Sequence, residues 1–174
     1  MRLLPLLAVL LVPLAASAKK PKKAGGLQAD PASWSKILAT LKKDGLYVKQ
    51  ERDNPYFELG EREKGQDGAQ TEHALTLHVY TGGDGAMNVD FVLVGYTATA
   101  RDAGGTRSDA WSFKVSERGE VSAVTLTRMT AGPDGVPKGE AEPAPAEDDP
   151  RAKGIFEAEV ARWAAWTPKP EHAK

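Results

Sequence analysis

Residues 75–93 read LTLHVYTGGDGAMNVDFVL. Leu75, Leu77 and Val79 alternate with Thr76, His78 and Tyr80, and Met87, Val89, Phe91 and Leu93 alternate with Asn88, Asp90 and Val92. A period of two is that of a β-strand with one buried face. Between the runs, Gly83-Asp84-Gly85 fits a three-residue hairpin loop whose last glycine takes the left-handed conformation. That loop sets Val79 opposite Val89, Leu77 opposite Phe91, His78 opposite Asp90 and Tyr80 opposite Asn88. Odd positions then face inward and even ones outward, and a slip of one residue would exchange the faces.

The parity continues downstream. Trp111, Phe113 and Val115 mark a third strand, and Arg118-Gly119 as a two-residue turn leads to a fourth from Glu120 to Arg128. Phe113 is then opposite Val124, and Trp111 opposite Leu126. Upstream, Leu46-Tyr47-Val48 and Tyr56-Phe57-Glu58-Leu59 read as two short strands around an Asp53-Asn54-Pro55 turn, with either pairing open, and a loop follows from Gly65 to Gln70.

Two helices bracket the strands. Asp30-Pro31 is an N-cap followed by proline at the first helical position, and Trp34, Ile37, Leu38 and Leu41 recur at helical spacing, predicting a helix over 31–44. Asp149-Pro150 repeats the signal; Ile155, Phe156, Val160 and Trp163 give an amphipathic stripe that ends after Trp166, before Pro168 and Pro170. Residues 132–149, with four prolines, three glycines and six acidic side chains, read as a mobile acidic linker. The expected fold is α+β: an antiparallel meander sheet of about six strands flanked by an N-terminal and a C-terminal helix, in one domain over residues 30–168, with a tail at 169–174.

Ahead of this domain, Arg2 precedes an apolar run from Leu3 to Leu14, and Ala16-Ser17-Ala18 supplies a small-residue cleavage pattern. The run falls short of the roughly 20 apolar residues a membrane span needs. The expectation is a signal peptide over 1–18, cleaved after Ala18, and a periplasmic or secreted protein with no stable transmembrane anchor. A Lys/Gly-rich flexible tail follows over 19–29.

The 174 residues carry 23 Lys plus Arg against 24 Asp plus Glu. That balance argues against a nucleic-acid binder built on phosphate contacts. The absence of cysteine removes disulfides, thiolate nucleophiles and Cys-based zinc sites. His73 and His78 differ by five along one strand and point to opposite faces, so they cannot chelate one ion. No cofactor is expected: nucleophile-elbow, zinc-protease and phosphate-loop motifs are missing.

The cross-strand register makes His78 and Asp90 the best acid–base pair, with Tyr80 and Asn88 beside it. On the same even-numbered side, Val92, Val94 and Tyr96 are apolar. A strand apolar on both sides is expected to be covered on both, by one helix on each face or by a sheet curled around one. The alternative is an apolar groove for a ligand, its polar end at His78 and Asp90. Trp166, at a helix end, is a candidate for stacking on a sugar. Gly119-x-Val121-x-x-Val124-x-Leu126, with Val160-x-x-Trp163-x-x-Trp166-Thr167-Pro168, is loosely similar to the C-terminal domain of TonB-type envelope proteins, over less than a third of the chain. This likeness rests on common hairpin and helix-end residues and implies no function.

The leading expectation is an exported, non-catalytic binding domain for an envelope protein, peptide, lipid or glycan. A small acid–base enzyme using His78 and Asp90 is the second reading. An accessory subunit of an envelope assembly is the third.

Overall fold

The computed structural model describes residues 26–42, 48–51, 54–65, 68–84, 87–139 and 143–167, with the backbone alone at 48–51, 54–57, 81 and 87. The expected signal peptide, most of the Lys/Gly-rich tail, Leu46-Tyr47, Asp53, Gly85 and the C-terminal tail lie outside the described residues. In chain order the elements are α1 (Pro31–Leu41), β1 (Val48–Glu51), β2 (Asn54–Lys64), β3 (Gln70–Thr81), β4 (Met87–Asp102), β5 (Gly105–Val115), β6 (Val121–Ala131), β7 (Pro143–Pro145) and α2 (Pro150–Ala165). The strands form one antiparallel sheet in sequence order, so the α+β meander holds with seven strands.

Both helices begin as their sequences dictate. The Ser33 N–H donates to Asp30 Oδ2 at 2.9 Å, and the Arg151 N–H to Asp149 Oδ1 at 2.9 Å, satisfying an otherwise orphaned first-turn donor in each case. Proline follows each cap where no N–H is needed.

Both helices lie on the same face of the sheet, which corrects the expectation of one on each. Trp34, Ile37 and Leu41 of α1 and Ala152, Phe156, Val160 and Trp163 of α2 join Leu75, Leu77, Val92, Val94, Trp111, Phe113, Val115, Val124 and Leu126 in one core. Phe113 and Phe156 meet at a ring separation of 5.2 Å. Each large apolar side chain buried here contributes about 1.5–3 kcal/mol.

The physical reason is a β-bulge. Val79 pairs with Val89 and Tyr80 with Asn88 as expected, but His78 pairs with Phe91 and Leu77 with Val92, leaving Asp90 as the extra residue. Parity therefore flips within β4. Before the bulge Val89 faces the helices; after it Val92 and Val94 do, at 0% and 1% exposure, while Phe91 and Leu93 turn to the opposite face. The Leu77–Phe91 and His78–Asp90 pairs read from the sequence are corrected accordingly. Phe91 and Trp111 lie on opposite faces. The apolar set of β4 is mostly a single face that changes phase.

A second irregularity preserves the downstream register. The β5–β6 turn is a three-residue loop, Glu117–Gly119, closed by the Ser116 N–H donating to Glu120 O at 2.9 Å, with Gly119 at φ 82°. A shift beside Lys114/Val115 absorbs the additional loop residue, so Phe113 still faces Val124 and Trp111 still faces Leu126. Glycine suits position 119 twice over: its φ is left-handed, and a Cβ there would stand 3.2 Å from the Trp34 ring.

The reading of 132–149 as a mobile linker is corrected in part. Pro143–Pro145 pairs with β6 through Thr125, Leu126 and Thr127, and Ala146 is buried, its N–H donating to Val124 O at 3.0 Å. Ala144 shares the parity of Ala146 and faces β6, so Pro143 and Pro145 occupy positions whose N–H would point away from the sheet. Proline is thus compatible with pairing on one side and removes donors from the outer edge, which discourages an eighth strand.

Candidate functional site

The face away from the helices carries the alternate residues of each strand: Glu58 and Gly60 of β2, Ala74, Thr76, His78 and Tyr80 of β3, Asn88, Phe91, Leu93, Gly95 and Thr97 of β4, and Ser112 and Lys114 of β5. No described helix covers it. Its centre is smooth because the side chains are small: a Cβ on Gly95 would stand 3.2 Å from that of Ala74. One end is aromatic and charged. His78 stacks on Phe91 at 4.3 Å between ring centroids, and Lys114 Nζ lies 4.1 Å over the Phe91 ring. Tyr80, paired with Asn88, is 52% exposed, and Asp90 is exposed at the bulge.

Burial pushes the His78 imidazole below its ordinary value, the Asp90 carboxylate opposes that shift, and Lys114 adds to it. The net effect favours the neutral imidazole. The bulge keeps Asp90 electrostatically coupled to His78 without placing it across the ladder, where a phenylalanine stands instead. Among the described residues, no group of three His, Asp or Glu side chains is arranged to hold a metal ion.

The structure divides the residues singled out from sequence. His78, Tyr80 and Asn88 share the open face, with Asp90 at its edge. Val92 and Val94 belong to the helix-covered core, and Tyr96 packs against it, so these three line no groove on the open face. Trp166 is half-buried beside Trp163, and its indole N–H donates to Glu61 Oε1 at 3.0 Å. That contact turns its polar edge inward.

On the covered face the structure brings together groups the sequence does not reveal. His73 Nδ1 lies 2.8 Å from Glu159 Oε1, and the two side chains are 5% and 3% exposed. The Tyr96 ring stands 5.7 Å from that of His73. Arg162 reaches Glu61 at 3.4 Å and Glu63 at 2.7 Å. The available signal was parity: His73 shares the inward side with Leu75, which requires a buried partner. Glu159 gives none, because a glutamate on an amphipathic helix reads as solvent-facing. Burial raises the Glu159 carboxyl above its ordinary value, against the opposing effect of His73 and Arg162.

At another corner, Asp109 gathers Arg107, Arg128 and Arg151 at 3.5–3.8 Å, and Arg151 also covers the Trp111 ring. This network ties the start of α2 to β5 and β6. A groove of about 480 Å³ beside it is lined by Leu126, Arg128, Ala144, Pro145 and the acidic run Glu147-Asp148-Asp149, and none of the sequence-derived candidates reaches it.

No protein-family model, curated protein or solved structure matches the chain. Among the described residues, no helix is long and apolar enough to cross a membrane.

Proposed function

We propose that the protein is an exported, non-catalytic binding domain whose ligand surface is the sheet face opposite the helices. The observation that carries this reading is the one-sided placement of α1 and α2, which leaves a half-buried aromatic and cationic strip that neither of these helices covers. The strip joins a hydroxyl-lined surface made by Thr76, Thr97 and Ser112. An exposed tyrosine beside amide, hydroxyl and ammonium donors matches the alternating apolar faces and hydroxyls of a glycan chain. The acid–base alternative is less well supported, because His78 meets Phe91 across the strands instead of Asp90. Export is proposed from the N-terminal sequence alone.

Titration of the labelled protein with cell-wall oligosaccharides, followed by NMR, tests the reading. Amide shifts are expected at Tyr80, Asn88, Phe91 and Lys114, and Tyr80→Ala is expected to weaken binding about tenfold, equivalent to ~1.4 kcal/mol. Saccharide binding that left this face unshifted, or shifts here only with lipid vesicles or peptides, would reject the glycan assignment.

A further inference from the structure

We infer that His73 and Glu159 form a pH-sensitive clamp that holds the C-terminal half of α2 to the sheet more tightly in acid than at neutral pH. The pair links β3 to α2 across 86 residues of chain at 2.8 Å. Both side chains are almost completely buried, and each has a second polar atom, His73 Nε2 and Glu159 Oε2, that is buried with no hydrogen-bond partner.

The facing groups set the direction. From β2 come the carboxylates of Glu61 and Glu63, and Glu63 Oε2 lies 4.0 Å from His73 Nε2. From β4 comes the Tyr96 ring, and from α2 itself come Arg162 and the Trp163 indole. His73 is the group in hydrogen-bond contact with Glu159, and Arg162, engaged by Glu61 and Glu63, acts on it from farther away.

Ionised, Glu159 is a buried carboxylate that His73 contacts through Oε1 and the Trp163 indole approaches, while Oε2 is shut off from water with no full hydrogen bond, an expensive arrangement. One proton added to Glu159 Oε2 removes that charge by neutralising the acid. Burial also raises the Glu159 carboxyl, in agreement with this direction. The sign follows by linkage: a carboxyl that binds its proton more tightly folded than unfolded gives stability present at low pH and lost as pH rises through its folded value.

The test is hydrogen exchange at the amides of residues 158–165 between pH 7 and pH 4.5, corrected for intrinsic rates, in the full chain and in Glu159→Gln. Glutamine keeps the shape and an acceptor for His73 while removing the titration. The protection ratio of wild type to Glu159→Gln is expected to rise severalfold on acidification. Taking the ratio cancels His78, whose lowered value makes acid destabilising. A ratio independent of pH, or one that falls in acid, would overturn the proposal. His73→Asn with Glu159 intact provides the second arm. It leaves the carboxyl without an imidazole, so protection should depend on pH in the same direction but through Glu159 alone, and a pH-independent His73→Asn protein would equally refute the clamp.

Discussion

Aspartate at position 94 is expected to unfold the domain at neutral pH, whereas aspartate at position 93 leaves it folded. Val94 is 1% exposed, opposite Leu75 on β3 and Phe113 on β5, on the helix-covered face of the sheet. Among the described residues no Lys or Arg side chain is buried in that core, and desolvating a carboxylate there costs several kcal/mol, a large part of the roughly 5–15 kcal/mol that stabilises a domain. Leu93 is half-buried on the open face, directly across from Lys114. Leu93→Asp loses part of one apolar contact, about 1–2 kcal/mol, and gains an opposite charge in return. Urea denaturation of the two variants checks the contrast. Equal losses, or the reverse order, would place Val94 outside the core.

Phe156→Ala is expected to destabilise by about 3–5 kcal/mol, the range for deleting a buried aromatic ring. Phe156 is 1% exposed, and its ring stands 5.2 Å from that of Phe113, which is itself fully buried. This contact anchors α2 on the centre of the sheet. Ile155 is only partly buried, so Ile155→Ala is expected to cost markedly less. Denaturant midpoints should shift with unchanged slope, because the surface exposed on unfolding is nearly the same. A Phe156→Ala loss below about 1 kcal/mol would mean that α2 does not dock as described.

Local signals wrote much of this fold plainly. Asp30-Pro31 and Asp149-Pro150 place both helix starts, since a capping carboxylate and a proline act within one turn. The register of Phe113 with Val124 and of Trp111 with Leu126 follows from apolar alternation, and it survives a different turn because the irregularity beside Val115 compensates.

The Asp90 bulge was hidden for a physical reason. Phe91, Val92, Leu93 and Val94 are all apolar, so either parity satisfies the pattern, and the choice falls to packing against helices distant in sequence. The same ambiguity put Val92, Val94 and Tyr96 among the surface candidates. Pairing of Pro143 and Pro145 was hidden because proline is read as a breaker until one side of the strand is known to be free. The His73–Glu159 contact spans 86 residues, beyond any local pattern.

Thiol accessibility at four neighbouring positions tests the bulge, and with it the assignment of faces, most directly. The chain has no cysteine of its own, so Phe91→Cys, Val92→Cys, Leu93→Cys and Val94→Cys each report one site against no background. The account predicts that a soluble thiol reagent labels positions 91 and 93 at least about a hundredfold faster than 92 and 94, since the latter react only when the core opens. Rapid labelling at 92 and 94 with protection at 91 and 93 would restore unbroken alternation through Asp90 and contradict the account.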